Sequence, residues 1–272
     1  MISLDWKERL KKDTVDFYER KLPSGDYDID IVYNAYPERI DNKIPQAVIT
    51  LVGKTLSTKL AKNADQYVEF YNYILKHKGE YGYIIFAYLM AKAVKKNPDF
   101  FLPYIKNVLI NFKEQRTLNF VIDKSLYPLL KKDALLYLDT IIDWIKEDNQ
   151  LMNNGLQKLL VKLIKYDNSL IEPIFKKLEN NWLYATESMI KLNIAVLKTI
   201  FKLDQNFYLK IYKSYQNTRN PVFAEILTGA VCCRNEIIEK MLTNWSNSGN
   251  VKLKKLGQHG QKIIKRKKRI EK

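Results

Sequence analysis

The chain has 272 residues, 46% of them hydrophobic, and a formal net charge of +16. That length supports a substantial core, in one large domain or two small ones. Only nine glycines and eight prolines disfavour a sandwich or barrel, and the longest apolar runs, such as YIIFAYLMA (83–91), fall far short of the roughly 20 residues that span a bilayer.

The N-terminus, MISLDWKERL, mixes acids with bases and has no apolar secretion stretch. The expectation is therefore a cytoplasmic protein with no membrane partner. Residues 1–60 are electrically neutral, with ten bases and ten acids, whereas residues 250–272 hold ten bases and one acid. A basic balance of this size favours a polyanionic partner, nucleic acid before membrane. The plain alternative is a lysine-rich solvated surface.

In chain order, an amphipathic helix comes first, over about 5–21, with apolar positions Leu10, Val15, Phe17 and Tyr18. A turn-rich segment, LPSGDYDIDIVYNAYPERI (22–40), and a helix near 44–61 follow. Residues 1–62 do not repeat and read as an N-terminal helical cap, which solenoids need at their ends. From there the chain repeats. KNADQYVEFYNYILKHKGE (62–80) aligns without a gap on KNPDFFLPYIKNVLINFKE (96–114), an offset of 34 residues. Lys62/Lys96, Asn63/Asn97, Asp65/Asp99, Leu75/Leu109 and Glu80/Glu114 are identical.

The unit continues at 131–148, 165–181, 202–217 and 233–247. Each copy opens on a polar cap and runs with apolar residues at helical spacing. Intervening helices are expected at about 81–95, 116–130, 150–164, 182–201, 219–232 and 250–266. This two-helix repeat predicts an all-α protein, a right-handed α-solenoid of about six HEAT-like helical hairpins over 63–266, with a basic tail at 267–272. The junctions repeat too: EDNQLMNNGL (147–156) parallels ENNWLYATES (179–188), with Asn149 matching Asn181 and Leu151 matching Leu183. An Asp or Asn there is a natural N-cap, which accounts for Asp148 and Asn149. Asn153 and Asn154 fall inside the helix, where Asn is a poor choice, and capping does not explain them.

Catalytic motifs are missing. There is no GxxxxGK[ST], GxGxxG, HExxH or GxSxG. His77 and His259 lie far apart and away from any cysteine, so neither a metal site nor a cofactor is expected. Cys232 and Cys233 sit in what reads as an apolar helical run. On a helix they would point about 100° apart, so they read as small core residues. Asp123, Asp139 and Asp143 are the carboxylates of interest. Asp139 and Asp143 share a helical face beside Lys146, as on any solvated helix.

The run QRTLNFVIDKSLYPLLKKDALLYLDTIIDWIKEDNQLMNNGLQKLLVKLIK (115–165) resembles the central part of the AlkD-like DNA alkylation repair proteins. The likeness lies in the Trp144-Ile145-x-x-x-Asn149 turn and the helix spacing around it, with Pro37-Glu38-Arg39 similar to the family's approach to its first repeats. It extends loosely over about 30–250. The resemblance implies a HEAT-like solenoid that binds double-stranded DNA along a basic concave surface. It also implies, in active members, excision of cationic alkylated bases. The departures are informative. By spacing, the family's tryptophans fall near Gln115 and Arg116, its catalytic aspartate on Asn119, and its catalytic arginine on Asn154. Neither amide can supply the charge of the group it replaces. A four-residue shift would bring Asp123 into play, which leaves activity open.

On this reading the second-row helices line the DNA face through Arg116, Lys124, Lys158, Lys162, Lys191, Lys198, Arg219, Lys252 and Lys255, with Trp182 and Tyr184 as stacking candidates. One or two cations per repeat would follow a phosphate backbone without reading sequence. The favoured expectation is a DNA binder without glycosylase activity. The alternatives are an active alkylpurine glycosylase and a protein-interaction scaffold.

Overall fold

The computed structural model describes residues 5–33, 36, 40–41 and 43–269. Among these there are fifteen α-helices and no strand. Pro37-Glu38-Arg39 and the last three residues of the basic tail lie outside the described residues. The chain divides into two compact units, between Lys132 and Asp133.

The first unit opens with α1 (Trp6–Arg20), whose N-cap Asp5 accepts from the Lys7 amide, and a short α2 (Asp30–Tyr33). Five longer helices follow: α3 (Gln46–Leu60), α4 (Val68–His77), α5 (Gly79–Lys96), α6 (Pro98–Ile110) and α7 (Gln115–Ser125). Helices α1, α3, α5 and α7 pack side by side in one layer, and α4 and α6 lie against α5 from the other. This alternation follows from the sequence. α5 buries Ile84, Ile85, Phe86, Leu89, Met90 and Val94, an apolar band wide enough to meet neighbours on several sides. The segment before α3 is tied to the repeats by Lys78, a side chain only 11% exposed. Its ammonium bonds Asp28 and reaches Asp30 at 2.8 Å. Burial pulls the Lys78 pKa down, but the two carboxylates outweigh it and hold the group above its ordinary value.

The turn between α4 and α5 depends on a missing side chain. A Cβ on Gly82 would lie 2.0 Å from the Ile74 carbonyl oxygen, a backbone atom that cannot step aside. Gly82→Ala should therefore destabilise the protein by about 3 kcal/mol, the upper end of overpacking penalties. Urea denaturation measures it; a change within about 0.5 kcal/mol would mean the two helices separate freely here.

Helix α8 (Tyr127–Asp143) runs across the unit boundary and is interrupted at Asp133, where φ −136° and ψ 58° break the helical path. The sequence copy starting at 131 thus opens at a break between two helical stretches, with Asp133 at the junction. The second unit then holds α9 (Gln150–Tyr166), α10 (Ile171–Glu179), α11 (Glu187–Leu203), α12 (Gln205–Tyr215), α13 (Pro221–Gly229), α14 (Glu236–Ser246) and α15 (Val251–Ile264). Helices α9, α11, α13 and α15 stack in one layer; α12 and α14 meet in the other.

The polar caps do their expected work. Asn97, Asp204 and Asn235 accept from the amides of Phe100, Phe207 and Ile237. Pro221 follows its cap Asn220 at the first position of α13, where a missing N–H costs nothing.

Three local expectations need correction. Cys232 and Cys233 are not helical: they lie in the connection between α13 and α14, because α13 ends at Gly229. Both thiols are free, and burial pushes Cys233 up to about 11. Asn181 stands before the 3-10 turn Trp182–Tyr184 but makes no side-chain cap. Its amide donates to the Lys177 carbonyl, and α11 starts later, after Thr186. Arg219, expected in a helix, stands one residue before the cap of α13.

Candidate nucleic-acid interface

Helix α3 contains Lys54 and Lys59 and no acid; α9 contains Lys158, Lys162 and Lys165 and no acid. Lys158 and Lys162 are i, i+4 and share a stripe on α9, whereas on α3 Lys59, five residues after Lys54, pairs with Glu19 at 3.6 Å. In the first unit the cations form a ladder across three helices. Lys54 Nζ of α3 lies 5.5 Å over the Tyr88 ring of α5. Tyr88 meets Phe120 of α7 edge to face, centroids 6.1 Å apart. Lys124 Nζ then lies 5.6 Å over the Phe120 ring. One turn on, Lys92 Nζ donates to Thr58 Oγ1 at 2.6 Å.

Both α3–α5 pairings, Lys54 with Tyr88 and Thr58 with Lys92, join residues 34 apart, the offset of the sequence repeat. The two helices therefore run parallel in matched register. Gly53 permits the approach: a Cβ there would already sit 3.2 Å from Ile85 Cα.

The rings in this ladder lie beneath ammonium groups. Each cation gains about 0.5–1 kcal/mol at such an exposed site, and the rings restrict where the cations can point. Arg116, exposed and with no ion-pair partner among the described residues, stands one turn before Phe120. Lys124 is partly neutralised by its neighbour Asp123, 3.4 Å away.

In the second unit Asn154, Lys158 and Lys162 follow each other at i, i+4 along the accessible side of α9. On α11 Lys191, Lys198 and Lys202 are exposed at spacings of seven and four residues, and Lys191 is held by Glu187 at 2.6 Å. Burial raises the Cys232 thiol pKa, and the positive field of Lys198, Lys267 and Lys202 opposes it. The basic tail therefore comes near α11. It is fastened by the Arg234 amide donating to the Lys268 carbonyl at 2.8 Å. On α15, Lys252 pairs with Glu225 at 2.8 Å, while Lys255 is exposed.

The two stacking candidates part ways. Tyr184 is 81% exposed. Trp182 is completely buried, and its Nε1–H donates to Asn193 Oδ1 at 2.8 Å. It is a core residue, enclosed by Phe175, Tyr215 and Phe223, and cannot stack on a base. Comparison with protein-family models, curated proteins and solved structures finds no match. The site therefore rests on its own chemistry.

The side chains at the positions that the resemblance singled out as catalytic are amides. Asn119 Oδ1 accepts from Gln115 Nε2 at 2.9 Å along α7. Asn119 belongs to the first unit and Asn154 to the second. Asn153 is 1% exposed and bolts a junction together. Its Nδ2 donates to the Ile145 carbonyl at 3.2 Å and to Ser188 Oγ at 2.7 Å. Ser188 Oγ in turn donates to Asp148 Oδ1 at 2.9 Å, as does Thr186 Oγ1 at 2.5 Å. Asn149 caps α9, accepting from the Met152 amide. Asp148 does not cap that helix: it adopts a left-handed conformation, φ 50°, and its carboxylate clasps the start of α11.

The hydroxyls of Thr186 and Ser188 hold Asp148 below the usual carboxylate range. A depressed folded-state pKa gives stability that is complete above the unfolded value and lost as pH falls through the folded value. The melting-temperature advantage of wild type over Asp148→Asn should accordingly hold at neutral pH and close below about pH 4. A gap independent of pH would show that the carboxylate charge contributes nothing.

Among the described residues no group of three His, Cys, Asp or Glu side chains is placed to hold a metal ion, and no helix is long and apolar enough to cross a membrane. Lys54, Tyr88, Lys92 and Phe120 were not singled out by sequence. The 34-residue offset, extended eight residues before Lys62 and Lys96, would have paired Lys54 with Tyr88.

Proposed function

We propose that this chain is a DNA-binding helical-repeat protein. Its helix pairs form a right-handed HEAT-like solenoid of the DNA alkylation repair type, and cations fixed on the second-row helices grip the duplex backbone. The observation that carries the reading is the Lys54–Tyr88–Phe120–Lys124 ladder. Two cations are held over rings that themselves interlock, with Lys92 and Arg116 on the same helices. Cations ordered in this way, without base-edge readers, suit phosphates rather than sequence. Rings covered by ammonium groups favour a backbone grip over the base stacking that single-strand binders use.

Excision chemistry is not part of the proposal. The position of the catalytic aspartate holds an amide already engaged by Gln115, and the nearby carboxylate Asp123 sits beside Lys124. The test is retention on a plain duplex at about 0.05 M salt beside a base-release assay on alkylated duplex. Retention without release is the expected outcome. Release by wild type, abolished in Asp123→Asn, would make it a glycosylase; no retention at low salt would end the DNA reading.

A further inference from the structure

The first unit has a second distinctive surface, formed by its other layer. A groove of about 460 Å³ lies between α4 and α6. Its floor is apolar, with Leu75, Val108 and the Tyr83–Phe112 ring pair, whose centroids are 4.7 Å apart. Its rim is amide-rich and carries one cation and no acid: Asn72 and Lys76 on α4, Asn107 on α6 and Asn111 at its C-cap.

These rim groups are largely unspent. Asn72 Oδ1 accepts from Tyr104 at 2.8 Å, and its Nδ2 has no acceptor among the described residues. Asn107 uses only its backbone carbonyl, which accepts from Asn111 Nδ2. Lys76 is exposed and has no ion-pair partner among the described residues. The corresponding groove in the second unit, between α10 and α12, is built differently. There Glu172 pairs with Lys176 at 2.7 Å and Glu179 accepts from Tyr215, so the polar groups satisfy one another.

Residues four apart on a helix are about 6 Å apart along its axis. An extended peptide repeats every two residues, about 6.6–6.8 Å. Each rim therefore places polar groups near the spacing at which an extended chain presents its peptide groups. A side-chain amide can donate to a peptide carbonyl and accept from a peptide N–H together.

We propose that the α4–α6 groove is a docking site for an extended segment of a partner protein. Its backbone would run between Asn72 and Asn107, an apolar side chain would enter over Leu75 and Val108, and an acidic side chain would reach Lys76. The ammonium, with no acid in the groove lining, selects the acidic residue; the floor selects the apolar one. The groove lies on the layer opposite the α3–α5–α7 ladder, so DNA and peptide binding are separable properties.

The probe is a displayed library of random twelve-residue peptides, selected on the intact protein. The expected result is enrichment of peptides that pair an acidic residue with an apolar one a few positions away. Their affinity should fall at least tenfold on Lys76→Glu, on Asn107→Ala and on Val108→Trp, which fills the floor. All three substitutions touch accessible side chains, so melting temperatures should stay close to wild type, and duplex binding by Asn107→Ala should be unchanged. No enrichment, or enriched peptides that bind the three variants as tightly as wild type, would overturn the proposal whatever the outcome on DNA.

Discussion

Trp182→Ala should cost the protein about 3–5 kcal/mol, the range for deleting a large aromatic from a packed core. The indole is fully buried, ringed by Phe175, Tyr215 and Phe223, and fixed by its bond to Asn193. Asn193 is itself buried, and its Nδ2 donates to the Met189 carbonyl within α11. Trp182→Phe keeps most of the ring but strands Asn193 Oδ1, an unsatisfied acceptor that should cost about 1–3 kcal/mol. Denaturant unfolding of the two variants separates packing from hydrogen bonding. A stability for Trp182→Ala within about 1 kcal/mol of wild type would contradict the burial and return this residue to the DNA-stacking candidates.

The second large effect concerns the ladder. Lys54→Ala and Lys124→Ala together should reduce the slope of log affinity against log salt by roughly 2, since each phosphate contact contributes about 0.9. Tyr88→Ala and Phe120→Ala should behave differently. They leave the charges and remove the surfaces that order them, so affinity should fall by a few-fold while the slope stays near the wild-type value, in keeping with about 0.5–1 kcal/mol per cation–π contact. Both rings are half-buried, so circular dichroism should accompany the comparison. A wild-type slope in the double lysine variant would mean that the ladder does not touch phosphate.

Helix positions were legible because the signals are local. Apolar spacing at 3.6 residues, the 34-residue offset and the polar caps placed α5, α6, α9, α12 and α14 within a few residues. What sequence could not supply was set by distant partners. Trp182 looked accessible at the start of a helix, but Phe175, Tyr215 and Phe223 come from three other elements. Asp148 looked like a cap, yet its carboxylate is claimed by Thr186 and Ser188 some 38 and 40 residues later.

Asn153 was rightly singled out, for a reason that differs from the one expected. It joins the end of one helix pair to the start of α11, and only its neighbour Asn154 lies on the accessible side of α9. The non-helical Cys232-Cys233 did carry a local sign, Gly229 three residues earlier, where α13 ends. The lysines now singled out in the first unit were hidden for another reason: an unremarkable Lys54 becomes informative only once Tyr88 is known to lie beneath it.

The most direct test of the central claim is a salt titration of the wild-type protein on plain duplexes of unrelated sequence. A backbone grip by ordered cations predicts a linear fall of log affinity with log salt, with a slope of several and the same slope and affinity on every sequence. A flat salt dependence, or affinity for one sequence alone, would contradict it.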